Sequence, residues 1–259
     1  MSYGFVIKWL SVSSFELRFD GFTVVTDPYI TECETNDLTW EAVEACDAIC
    51  LTHVHWDHIT DIPRLVEKFS PKILCGEMSA LPMVRWLDCN PLLVYPMPAN
   101  TELDYGKVKI RALYGHHGNL KNNWNALMDR VKNHPLCQKD PKMAEMQEAG
   151  TLEYRNWLFT LPGGARMVLW GGPATIEHIN ACKALAPDVL ILQRPSSEAD
   201  IQAKLDFAKA AGCKVLIPHH QEFRSKEKPE VVLRWGELFE KEVPGAKFIY
   251  PNHGEWIKL

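Results

Sequence analysis

The chain has no CxxC pair among its eight cysteines, at positions 33, 46, 50, 75, 89, 137, 182 and 213. That excludes a zinc-ribbon or thioredoxin-type thiol motif. Several of these cysteines lie in apolar runs, so buried, reduced thiols in a cytoplasmic protein are expected. No apolar run approaches the roughly 20 residues of a membrane span. No leader is expected either, because Lys8 interrupts the first apolar stretch and no small-residue cleavage site follows. Positive charge is in short supply. Lys and Arg number 28 against 33 Asp and Glu, a formal charge of −5, which argues against a nucleic-acid-binding face. Small anionic substrates stay open, since they need only local positive charge. Short-period repeats and low-complexity tracts are absent.

What the chain does have is enough apolar material, 46% of 259 residues, to bury a substantial core. Short strand-like runs open it: Phe5–Leu10, Ser14–Phe19 and Phe22–Thr26, divided by polar or Asp-Gly turns. Lys72–Cys75, Leu92–Tyr95 and Lys107–Leu113 read as further strands, with a helix around Ser79–Leu87. The second half alternates. Strands are expected at Asn156–Leu161, Arg166–Trp170, Asp188–Gln193, Lys214–Pro218, Lys247–Tyr250 and Trp256–Leu259, with helices at Thr175–Leu185, Glu198–Ala211 and Pro229–Lys241. Two packed sheets with helices outside follow from that order. Residues 119–155 are polar, with two expected helices at about 121–133 and 141–149, joined through Pro135 and Pro141. They read as an insertion serving as a lid or as a contact between copies of the chain.

The strongest signal is His53-Val54-His55-Trp56-Asp57-His58, directly after the apolar run Ala48–Thr52. In extended chain, residues two apart point the same way, so His53 and His55 converge. A helix is expected to begin near Asp57 and His58, turning this pair toward a neighbouring ion. Imidazole with carboxylate suits zinc, iron or manganese. Doubled histidines recur in Gly115-His116-His117-Gly118 and Pro218-His219-His220. His134, His178 and His253 fit no motif and read as surface or core residues.

The run resembles the His-x-His-x-Asp-His motif of the metallo-β-lactamase superfamily, and within it the L-ascorbate-6-phosphate lactonase-like metal-dependent hydrolases. The resemblance spans nearly the whole chain, through Lys8-Trp9-Leu10-Ser11-Val12-Ser13-Ser14-Phe15, Thr26-Asp27-Pro28, the His cluster, Pro218-His219-His220 and Gly254-Glu255-Trp256-Ile257. It implies an α/β fold, a four-layer αββα sandwich forming one domain over residues 1–259 with the helical insertion, and a metal site at one edge between the sheets. One or two divalent ions are implied, zinc ahead of manganese. His53 and His55 would hold the first with a third histidine, His117 fitting better than His116. Asp57 and His58 would hold the second with His220, favoured over His219 by its spacing from the proline. The spare His116 and His219 would be supporting donors, substrate contacts or packed side chains. Asp27 would support the motif loop, and Arg194 would bind an anion.

The implied chemistry is hydrolysis of a small, anionic lactone, ester or phosphodiester by metal-bound hydroxide, with Asp57 as proton acceptor. Two departures qualify it. Ser11-Val12 stands where the family often has Gly-His. Gly172, in Leu169-Trp170-Gly171-Gly172-Pro173, stands where the metal-bridging Asp is expected. Two divalent ions 3.5–4 Å apart repel by roughly 17–19 kcal/mol at a dielectric near 20. A missing carboxylate therefore implies one ion, weak occupancy of the second, or a bridging anionic ligand. Gly172→Asp is then expected to raise metal content. Glu222 is another carboxylate that could reach inward, though a surface charge is the plainer reading. The alternative is a catalytically degenerate protein that binds metal and ligand.

Overall fold

The computed structural model describes residues 3–117, 124–221 and 229–259, except for the side chains of 124–127 and 130. Glu222 and the Trp124 side chain thus lie outside the described residues. The first sheet contains β1 (Val6–Ser11), β2 (Ser14–Phe19), β3 (Phe22–Thr26), β4 (Ala48–Cys50), β5 (Lys72–Cys75) and β6 (Val94–Pro96). The second contains β7 (Glu102–Asp104), β8 (Lys109–Tyr114), β9 (Arg155–Thr160), β10 (Arg166–Trp170), β11 (Val189–Gln193), β12 (Val215–His219) and β13 (Lys247–Phe248). The last strand, β14 (Trp256–Lys258), returns to pair with β1, so the orders are β14-β1-β2-β3-β4-β5-β6 and β13-β12-β11-β10-β9-β8-β7.

Alternation along the strands builds the layers. Strand residues two apart share a face. Val24, Ala48, Cys50 and Leu74 of the first sheet meet Ala112, Trp157, Leu169, Ile191 and Ile217 of the second in a core between the sheets. Their neighbours Val25, Ile49 and Ile73 face outward into a cluster with Ile62, Leu65, Met83, Met143 and Met146. Those partners come from α1 (Ile62–Phe69), α2 (Glu77–Leu87) and α5 (Pro141–Gly150). Val168, Trp170, Leu190 and Leu192 face the other way, onto α6 (Ile176–Leu185), α7 (Glu198–Ala211) and α8 (Pro229–Glu242). The result is the expected αββα sandwich.

Two local expectations are corrected. Asp57 and His58 are not in the following helix but on a 3₁₀ turn, Trp56–His58, and α1 starts only at Ile62. Pro63 sets that start, since its ring tolerates only the first helical turn. Segment 119–155 holds a third helix between the two expected. It runs α3 (Trp124–Asn133), α4 (Pro135–Lys139), α5, with His134 capping α4 by accepting from Leu136 N–H at 3.3 Å. The segment is packed onto the domain. Met143, Met146 and Gln147 are buried, and Gln147 accepts a hydrogen bond from the Trp56 N–H at 3.1 Å, directly supporting the His motif.

No cysteine is joined in a disulfide, and seven of the eight are buried. Among the described residues, no helix is long and apolar enough to cross a membrane. Leu169 is fully buried between the sheets. Leu169→Ala is expected to cost about 2–5 kcal/mol of stability through lost transfer energy and a residual cavity, measured by urea denaturation.

Candidate metal centre

The site lies where strands deliver their carboxyl ends to one rim. β4 runs parallel to β3 and β5, and β10, β11 and β12 run parallel to one another. The loop after β4 carries residues 53–58, the loop after β8 carries His116 and His117, and His220 follows β12. A rim outside strand carboxyl ends is the usual ligand position in α/β folds.

Two groups of ligand atoms converge there. His53, His55 and His117 form one, and Asp57, His58 and His220 the other, with each group's atoms within 4.8 Å of one another. His53 and His58, one from each group, have ring centroids 4.1 Å apart, so the groups adjoin. The histidine nearer the rim in each doubled pair thus joins a trio, while His116 and His219 do not. Burial, then the surrounding imidazoles, pushes the pKa of His53 and of His220 well below the ordinary value. Burial also pulls on His58, but Asp27 and Asp57 outweigh it and leave that pKa raised.

A network behind the rings sets their orientation. Asp27, fully buried, accepts from Thr52 N–H at 2.7 Å and from Thr52 Oγ1–H at 2.7 Å, and lies 3.0 Å from His58 Nδ1. Thr52 Oγ1 stands 3.0 Å from His53 Nδ1. Its proton is already on Asp27, so it accepts from that nitrogen. His53 and His58 therefore carry hydrogen on Nδ1 and present Nε2 to the site. His53 Nε2 faces His55 Nδ1 at 3.0 Å, and His55 Nε2 faces Thr151 Oγ1 at 3.0 Å. His58 Nε2 is buried without a hydrogen-bond partner. Five imidazole nitrogens and one carboxylate, one of those nitrogens orphaned, fit divalent cations well.

The remaining expected residues have other surroundings. His219 is tied on both nitrogens, by Ser13 Oγ at 2.8 Å and the Trp170 carbonyl at 2.9 Å, and burial pushes its pKa down to about 3. It braces the β1–β2 turn against β10. His116 turns to a separate cavity of about 540 Å³, shared with His178, Trp170 and Glu177. Arg194 donates to the carbonyls of His220 at 2.7 Å and Pro195 at 2.8 Å, anchoring the backbone of one trio. His178 is buried, His253 stacks on Trp9 and His134 stacks on Trp56.

Gly172 needs a correction. Its φ is +83°, and a Cβ there would lie 2.6 Å from the His116 carbonyl oxygen. Asp at 172 would be strained and would clash, so Gly172→Asp is not a route to a bridging carboxylate. The Gly172 carbonyl instead accepts from the buried Lys204 ammonium at 2.9 Å. Val12 (φ 33°), Asp27 (39°) and His220 (62°) also adopt left-handed backbone. For a β-branched residue such as Val12 this is a true outlier. Its carbonyl accepts from the His220 N–H at 2.9 Å, so the strain sits on the site's own scaffold.

Thr52, Thr151 and Tyr154 escaped the sequence reading. Thr52 could have been found as the hydroxyl residue entering the motif. Nothing local marks Thr151 or Tyr154, which reach the histidines only through the fold.

The comparisons with known proteins accord with this geometry. A family model described as a beta-lactamase superfamily domain matches residues 6–236. The chain belongs to the metallo-β-lactamase superfamily. A metal-dependent hydrolase of Geobacillus sp. (strain WCH70) is 30% identical over 105 residues, covering 40% of this chain and 43% of that protein. One from Koribacter versatilis is 33% identical over 79 residues, covering 30% and 34%. The chain thus spans less than half the length of these curated relatives. A metallo hydrolase from Ignicoccus hospitalis superimposes over 98% of both chains, with a TM-score of 0.71 and 15% identity. The Bacillus subtilis metallo-beta-lactamase fold protein YhfI covers 99% of this chain and 100% of its own, with a TM-score of 0.67 and 13% identity. These two likenesses concern the fold.

Two outcomes follow. Asp27→Asn, whose side chain tolerates the left-handed backbone, is expected to weaken zinc binding by roughly 10–100-fold in calorimetric titration of stripped protein; unchanged affinity would remove Asp27 from the network's function. Burial lowers the Lys204 pKa from 10.5 to about 8. Between those pH values the unfolded chain holds a proton that the native protein has released, so stability rises with pH. Lys204→Met should flatten that rise in denaturation curves between pH 8 and 10.5.

Proposed function

We propose that the protein is a metal-dependent hydrolase acting on a small anionic substrate, a lactone, ester or phosphodiester. The observation that carries this reading is the convergence of six ligand side chains from three separate stretches of chain. The relatives named as metal-dependent hydrolases support it. Divalent ions held there would supply ionisation of water at neutral pH and polarisation of the electrophilic oxygen. The chain's own groups do the rest. Asp57, buried within its trio, is the carboxylate placed to orient an attacking water and take its proton. Thr52 and Asp27 hold the tautomers of His53 and His58 that leave Nε2 facing the site.

Charge supports the anionic class. Asp57 and Asp27 provide two negative charges against the four positive charges of a divalent pair, and the excess favours an anion. Similarity of the opening segment to the lactonase-like subgroup points to phosphorylated lactones first. The predominance of imidazole favours zinc over manganese, which prefers oxygen.

A second reading, a protein that binds metal and ligand without turnover, is favoured by Gly171 and Gly172 at the end of β10. The test is elemental analysis of protein purified without chelators, together with assays on a panel of lactones, carboxylic esters and phosphodiesters. The hydrolase reading expects turnover that is abolished by EDTA and by His55→Ala. Metal-loaded protein that turns over nothing in the panel would favour the second reading, and turnover surviving both treatments would remove the centre from the chemistry.

A further inference from the structure

The end of β10 carries no carboxylate, yet the space beside it is filled. A Cβ on Gly171 would run into the Tyr154 hydroxyl. Gly171 is not among the positive-φ glycines. Its backbone would accept an ordinary residue, so the phenol alone keeps a side chain out. Gly172, by contrast, is barred by its own φ and by the His116 carbonyl.

Tyr154 precedes β9 and is 3% exposed. Its ring lies on His53, with centroids 4.9 Å apart and planes 27° from parallel. The same ring meets His117 at 6.2 Å between centroids, with planes 66° apart, so it faces two members of the first trio. Thr52, whose proton goes to Asp27, accepts from His53 Nδ1–H at 3.0 Å. The His53 ring is therefore held at its edge by Thr52 and on its face by Tyr154.

We infer that Tyr154 is a positioning residue of the metal centre. Its hydroxyl fills the room at the end of β10, and its ring, packed on His53, holds that imidazole with Nε2 turned to the cations. A neutral phenol thus stands where a charged side chain from β10 would otherwise enter. An aromatic ring, rather than a further carboxylate, completes this side of the site. This inference rests on reading the two trios as cation sites.

The test uses the full chain, stripped with chelator and titrated with zinc, and loaded with cobalt(II) for its visible spectrum. Tyr154→Ala removes the ring from His53 and is expected to weaken zinc binding by about 10–100-fold and to alter the cobalt spectrum. Tyr154→Phe keeps the ring and is expected to leave zinc affinity, the cobalt spectrum and the circular dichroism of the stripped protein close to those of the parent. Gly171→Asp alone is expected to destabilise the stripped protein, because the phenol occupies its Cβ position. Combining it with Tyr154→Ala should relieve that clash and recover zinc affinity lost in Tyr154→Ala alone. Zinc affinity and cobalt spectrum unchanged in Tyr154→Ala would overturn the positioning role, as would zinc binding lost equally in Tyr154→Phe, or Gly171→Asp folding as stably as the parent with Tyr154 in place. A parent protein that binds neither zinc nor cobalt would instead sink the cation reading itself, and this inference with it.

Discussion

The centre depends on one buried carboxylate. Asp27 has no solvent contact and sits on left-handed backbone at the end of β3. It is stabilised there by the Thr52 amide, the Thr52 hydroxyl and His58 Nδ1, all within 3.0 Å. An unpaired buried carboxylate would be very costly. With three partners it becomes a rigid point from which the neighbouring side chains take their orientation. Through Thr52 it sets the proton on His53, and directly it sets the proton on His58. Tautomer choice, rather than mere proximity, turns these imidazoles into ligands.

The packing around that point explains why so many polar groups can be buried together. Five imidazoles crowd the rim, and two of them have pKa values pushed well below the ordinary value by burial and by one another. Neutral rings with lone pairs directed inward repel weakly and gain strongly from a cation. The cost of desolvating the cluster is carried by the sandwich core. The segments that reach the rim are anchored three or four residues before their histidines by buried side chains, Cys50, Leu113 and Ile217. The strained backbones of Val12 and His220 are held by the hydrogen bond between them and by Arg194 across the His220 carbonyl. Rigidity at the site is thus inherited from the two sheets.

The helical segment after β8 illustrates how little polar sequence says about packing. Its polar residues read as an insertion. Its spaced methionines, Met143 and Met146, with Val131 and Cys137, extend the core over the first sheet. From there Gln147 bonds the Trp56 amide and Thr151 reaches His55. Support for the motif comes from about 95 residues downstream, a distance at which sequence pattern is silent. The two glycines after β10 mislead in the other direction. They look like a lost carboxylate, and the fold gives each a steric cause, in Tyr154 and in the His116 carbonyl.

The amino-acid sequence alone determined the order of strands and helices, because apolar alternation with period two and helical periodicity are local properties. It also determined the motif residues His53, His55, Asp57 and His58, because their spacing is a local property too. Tertiary structure decided which member of each histidine doublet meets the others, that His219 is bound on both nitrogens, and that Tyr154 closes the space beside Gly171. Those outcomes depend on where the carboxyl ends of distant strands meet across two sheets, and no short stretch of chain encodes that meeting.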